Sequence, residues 1–214
     1  VSSRMPFWYN TFYRFGRPSA KEKDWKSKIN KIIDQAPKLD IGGISGVPER
    51  VQVLLEKVVE RYHLKDIHEI WPNFRVFAHG GASIEPYQDR LKSLLGEEVI
   101  CLNTYLTSEG FIAYQQEKGS DMQLVLDNGI FFEFVPYSNQ NFSSDGRMNE
   151  SPEVIEFGDI EEGRDYALLI STCAGAWRYL MGDTMRFTDK EKAKMIITGR
   201  IKESAAKINT GQAE

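Results

Sequence analysis

The hydrophobic pattern of this 214-residue chain changes after Pro72, from helical spacing to a run that begins with a strand, and that change constrains the fold more than any other feature. Upstream, apolar residues recur at helical spacing. Trp25, Ile29, Ile32, Ile33 and Ala36 follow a capping-box pair, Ser19 and Glu22, and predict a helix over roughly 20–36. Pro37 and the turn-rich run Gly42-Gly43-Ile44-Ser45-Gly46 break it. Pro48 opens a second helix with Val51, Leu54, Leu55, Val58, Val59 and Tyr62 on one face. Downstream, Phe74 to Ala78 reads as a buried strand ending at His79-Gly80-Gly81. A short helix with Tyr87, Leu91, Leu94 and Leu95 follows, closed by Gly96, and then a strand over Val99 to Leu102. This strand–loop–helix–strand run predicts an α/β unit with its two strands parallel. From residue 111 strands dominate. Asp127-Asn128-Gly129 between two apolar runs predicts a hairpin, and residues 138–152 a surface loop. Tyr166 to Thr172 reads as a buried strand. Met185 to Phe187 and Met195 to Thr198 read as strands joined by a charged turn. The fold class expected is α/β, with mixed sheets, flanking helices and a β-rich later part.

Charge and cysteine content narrow the function classes. Lys and Arg (27) nearly balance Asp and Glu (31), for a net charge of -4, so no basic field points to a nucleic-acid partner. No stretch of 18 apolar residues offers a transmembrane helix, and the aromatic, basic segment Val1 to Arg17 lacks the apolar centre of a signal peptide. Cys101 and Cys173 lie far apart with no CxxC pattern, so neither a metal cluster nor a disulfide framework is expected. A reduced, cytoplasmic setting fits.

Four constellations could carry chemistry. In the first, Tyr105-x-Thr107-Ser108-Glu109-Gly110, the hydroxyls of Thr107 and Ser108 can donate to phosphate oxygens. Glu109 can hold Mg²⁺, a hard ion that takes carboxylate and phosphate oxygens together, and Tyr105 offers a flat face to a base. In the second, Gly80 and Gly81 let a ligand approach the backbone closely. In the third, Trp177-Arg178-Tyr179-Leu180-Met181-Gly182-Asp183, an aspartate on a rigid loop can accept two hydrogen bonds from vicinal ribose hydroxyls. In the fourth, Thr198-Gly199-Arg200, the guanidinium can reach phosphate or ribose oxygens. Core aromatics and ordinary turns would leave the same residues, so both readings stand at this level.

Taken in order, these pieces resemble the adenylate-forming superfamily of acyl-CoA synthetases, peptide-synthetase adenylation domains and luciferases. Phe131-Phe-Glu-Phe-Val-Pro136 between them, with Glu162-Gly163-x-x-Tyr166 and Trp177-Arg-Tyr-x-x-Gly-Asp183, more closely resembles the Gretchen Hagen (auxin-responsive promoter) family of acyl-acid amido synthetases. The resemblance runs from about Gly80 to Lys202. It implies part of the large adenylating domain over 1–202 and a hinge or tail over 203–214 leading toward a C-terminal domain.

The resemblance also implies a ligase that uses ATP and Mg²⁺. A small carboxylic acid and ATP give an acyl-adenylate and pyrophosphate, and an amino acid amine then takes the acyl group, releasing AMP. Carried over by motif, Tyr105 sits by the adenine, Ser108 contacts the α-phosphate, and Glu109 binds Mg²⁺. Asp183 holds the ribose hydroxyls, Gly80 and Gly81 form the wall near the adenine, and Arg200 approaches the ribose or phosphate. Thr107 joins the phosphate contacts. Nothing before Gly80 matches the family's Ser/Thr/Gly-rich phosphate loop, and the stretch after Lys202 departs from its pattern. The chain alone is therefore expected not to complete catalysis. Two other readings stand beside this one: an acid–CoA ligase of the same superfamily, and a non-catalytic α/β binding module sharing the scaffold.

Overall fold

In the computed structural model, residues 24–201 are described. The aromatic segment 1–17, the Ser19–Glu22 pair, Lys202 and the tail 203–214 lie outside them. The chain forms two compact units that divide between Leu102 and Asn103.

The first unit is built on two amphipathic helices. Helix α1 (Trp25–Gln35) starts at Asp24, whose carboxylate accepts the Ser27 N–H at 3.0 Å, so an aspartate serves as the observed cap. Pro37 leads the chain out through one 3₁₀ turn. Helix α2 (Pro48–Tyr62) has proline in its first turn and buries Val51, Leu54, Leu55 and Val58, as the spacing predicts. It ends at His63, which adopts left-handed backbone at φ 53°. Two long-range hydrogen bonds fasten this unit, one from α2 to α1 and one from the loop beyond α2 to the turn beyond α1. Tyr62 Oη donates to the Ile33 carbonyl at 2.9 Å, and the buried Trp71 indole donates to the Ala36 carbonyl at 3.0 Å.

Between the helices lies strand β1 (Gly43–Gly46), where the sequence predicts a turn. It pairs in parallel with β2 (Val76–His79), Gly43 opposite Val76 and Gly46 opposite His79. Glycine here serves close packing. A β-carbon on Gly46 would lie 3.0 Å from a Val51 methyl of α2. The short helix α3 (Gln88–Leu94) follows a 3₁₀ turn and ends at Leu95, one residue before the expected Gly96. Strand β3 (Ile100–Leu106) extends beyond the predicted Val99–Leu102.

The second unit is an antiparallel sheet. It runs in the order β3, β4 (Phe111–Gln115), β5 (Met122–Leu124), β9 (Lys194–Arg200), β8 (Tyr179–Asp189), β7 (Asp165–Thr172), β6 (Ile130–Pro136). The β-rich later part is thus as expected. Its strands alternate, and their inward residues share one core. Ile112 of β4 and Phe132 and Phe134 of β6 meet there although their strands lie far apart in the order, so the sheet curls on itself. Phe134 sits at the centre with Tyr166 and Phe187 edge-on, at ring distances of 6.3 and 5.4 Å.

The predicted hairpin at Asp127-Asn128-Gly129 is corrected. The turn forms, with Gly129 at φ 79° and Asn128 Oδ1 accepting the Ile130 N–H at 3.2 Å. The flanking strands do not pair, because β4 and β9 occupy both edges of β5. Asn128 Nδ2 instead donates to the Phe111 carbonyl, and β6 goes on to pair with β7. In the surface loop 138–152, Asn141 and Phe142 are buried. Asn141 holds the loop down, its amide donating to the Pro136 carbonyl at 2.9 Å and its Oδ1 accepting the Glu153 N–H at 2.8 Å.

Among the described residues no helix is long and apolar enough to cross a membrane.

Candidate nucleotide site

Three strands of the second unit converge on one carboxylate. Asp183 lies inside β8, opposite Arg200 of β9, and not on the loop the sequence predicts. The Tyr105 hydroxyl of β3 donates to Asp183 Oδ2 at 2.8 Å, and Arg200 Nε lies 3.5 Å from Oδ1. Register shifts fall beside both partners, between Tyr105 and Leu106 on β3 and between Thr184 and Met185 on β8. Such bulges re-aim side chains that a regular pleat would direct elsewhere. Thr184, next along β8, is buried, and its hydroxyl accepts from Thr198 of β9 at 3.0 Å.

Tyr105 itself is only 6% exposed. Burial first, then the Asp183 charge and the hydrogen bond to it, push its phenol far above the usual tyrosine range. Glu109 adds to the same upward push, so both carboxylates predicted from sequence act on one hydroxyl, Asp183 by direct contact and Glu109 at longer range.

Thr107, Ser108 and Glu109 sit in the tight turn joining β3 to β4. This turn closes a hairpin between antiparallel strands, after the strand end where the sequence places it. Thr107 closes it: its N–H donates to the Gly110 carbonyl at 3.0 Å, and its hydroxyl meets the Gly110 backbone at 3.3 Å. Ser108 is exposed and Glu109 half-buried. Gly80 and Gly81 follow β2 in the first unit, Gly81 at φ 77°.

One pairing in the motifs was not foreseen. Glu133, centre of the Phe-Phe-Glu-Phe segment, forms an ion pair with Arg178 at 3.2 Å. Its only sequence signal is a lone carboxylate alternating with phenylalanines.

Two solved structures share this architecture. An acyl acid amido synthetase, GH3.15, superposes with a TM-score of 0.60 at 12% identity, covering 86% of this chain and 41% of that one. A 2-hydroxyisobutyryl-CoA ligase superposes at 0.56 and 14% identity, covering 88% and 37%. These likenesses are of fold.

Residues 123–197 match the model of the GH3 family central domain, which bears out the resemblance to the Gretchen Hagen family read from the motifs. The indole-3-acetic acid-amido synthetase GH3.4 of Arabidopsis thaliana is 29% identical over 167 residues, 74% of this chain. The chain spans 27% of that relative's length.

Proposed function

We propose that this chain is the nucleotide-holding part of an acyl-acid amido synthetase, a ligase that activates a carboxylic acid with ATP and passes the acyl group to an amino acid. The observation that carries this reading is the fixed Asp183 carboxylate, held by Tyr105 and Arg200 in the same unit as the Glu109 hairpin. A carboxylate offers about four acceptor sites, enough to keep its internal partners and still receive hydroxyls.

The chemistry needs a better leaving group than oxide on the acid, and adenylation supplies one. Asp183 takes the ribose hydroxyls. Ser108, at the exposed tip of the hairpin, donates to the α-phosphate, and Thr107 holds that tip in place. Arg200, exposed and in register with Asp183, adds positive charge beside the sugar and phosphate.

Glu109 fits the magnesium expected of the family. A single carboxylate completed by phosphate oxygens and water is a donor set this ion accepts. When bound, Mg²⁺ supplies charge neutralisation at the phosphates. The residues of this chain orient the nucleotide and align the acid oxygen with the phosphorus. Residues 1–202 form part of the large domain in this reading, with 203–214 the hinge toward a mobile C-terminal domain. Cys101 and Cys173 as reduced thiols suit a cytoplasmic setting.

The test is acid-dependent pyrophosphate release by the full-length protein that carries this chain, against a panel of acids, with amino acids or coenzyme A as acceptor. Release that leads to an amide supports the reading. A thioester product would make the protein an acid–CoA ligase, and no release with any acid would leave a binding module.

A further inference from the structure

The hydrogen bond between Tyr105 and Asp183 links residues 78 positions apart and satisfies part of a carboxylate's acceptor capacity. An ionised carboxylate has about four lone-pair sites, two on each oxygen. Tyr105 occupies one on Oδ2 at 2.8 Å, and Arg200 faces Oδ1 at 3.5 Å. At least one site remains on each oxygen.

We propose that Tyr105 is a positioning residue for the nucleotide. Its phenol locks Asp183 so that each carboxylate oxygen keeps a free acceptor site, the arrangement that receives the two hydroxyls of a ribose. This rests on the reading of Asp183 as the ribose ligand. It gives Tyr105 a task beyond a flat face for adenine.

Three observations support it. Tyr105 is packed in the curled sheet's core with Ile112, Met181 and Met185, so the phenol has little freedom to swing away. Register shifts follow Tyr105 on β3 and Thr184 on β8, local departures from the pleat around the point where Tyr105 and Asp183 meet. Burial and the adjacent carboxylate keep the phenol protonated, so it remains a donor across the working pH range. Without that donor the carboxylate can rotate, and Arg200, on an exposed stem, can draw it into a closer ion pair that consumes the sites the ribose needs.

A double-mutant cycle on AMP binding tests the proposal, using the full-length protein with Tyr105→Phe, Asp183→Asn and both together. The expected result is a loss of roughly tenfold for Tyr105→Phe in the unaltered background and less than about twofold in the Asp183→Asn background. Equal losses in both backgrounds, or no loss in either, would overturn it, since a tyrosine acting only on the adenine contributes independently of Asp183. A second measurement needs no variant: 2′-deoxy-AMP and 3′-deoxy-AMP are each expected to bind several-fold more weakly than AMP, by similar factors. Loss from only one hydroxyl would contradict a free site on each oxygen. No AMP binding by the unaltered protein would overturn the nucleotide reading itself, and the tyrosine's role with it.

Discussion

Glu133, on β6, and Arg178, just before β8, form an ion pair of 3.2 Å across the intervening strand β7. The Arg178 N–H also donates to the Ser171 hydroxyl of β7 at 3.0 Å, and Arg178 adopts left-handed backbone at φ 44°. The loop carrying the exposed Trp177 is thus fastened to two strands just before β8 starts toward Asp183. The Glu133 side chain is only 16% exposed, so the pair exceeds an ordinary surface bridge, although its arginine is well solvated. Glu133→Ala is expected to lower stability by about 1 kcal/mol, read by chemical denaturation, and the difference should shrink in high salt.

Phe134 is fully buried amid Phe157, Tyr166 and Phe187. Phe134→Ala leaves a cavity that rigid aromatic neighbours fill poorly. The expected cost is about 3–5 kcal/mol, against about 1 kcal/mol for Phe134→Leu. Denaturation curves for the two variants check the ratio.

Two glycines should respond oppositely to the same change. Gly46→Ala forces a methyl to 3.0 Å from the stiff, buried Val51, and about 1–2 kcal/mol of stability should be lost. Gly158→Ala meets nothing within 4 Å and should be neutral or stabilising by up to about 1 kcal/mol. Thermal melts of both variants make the comparison.

His79 gives the first unit a pH dependence. Burial holds its pKa below the ordinary 6.5, with Glu85 opposing. The unfolded chain takes up the proton near pH 6.5, while the folded chain resists until lower pH. Stability should therefore fall as pH drops through 6.5 and level off once folded His79 is also protonated. Denaturation at a series of pH values between about 7.5 and 5 should show this limb, and His79→Gln should flatten it.

Local signals made α2 legible, because Pro48 and a run of apolar residues at helical spacing act within fifteen residues. The same reasoning mistook Gly43–Gly46 for a turn. Glycine reads as flexibility in sequence, yet here it lets a strand approach a helix, which only the tertiary packing reveals. Asp127-Asn128-Gly129 predicts a hairpin, of which the turn alone forms. Which strands pair around it depends on edges already filled by β4 and β9. In the site, Asp183 and Tyr105 were each singled out as nucleotide contacts, but no local pattern announces a hydrogen bond between residues 78 apart. Glu133 and Arg178 carry no local signal of their ion pair, since the contact crosses a strand that neither belongs to.

The account stands on Asp183 as the sugar-binding carboxylate. Titrating AMP into the full-length protein and its Asp183→Ala variant, with folding of both confirmed by circular dichroism, measures this directly. The account predicts at least a roughly tenfold rise in Kd for the variant; an unchanged Kd would contradict it.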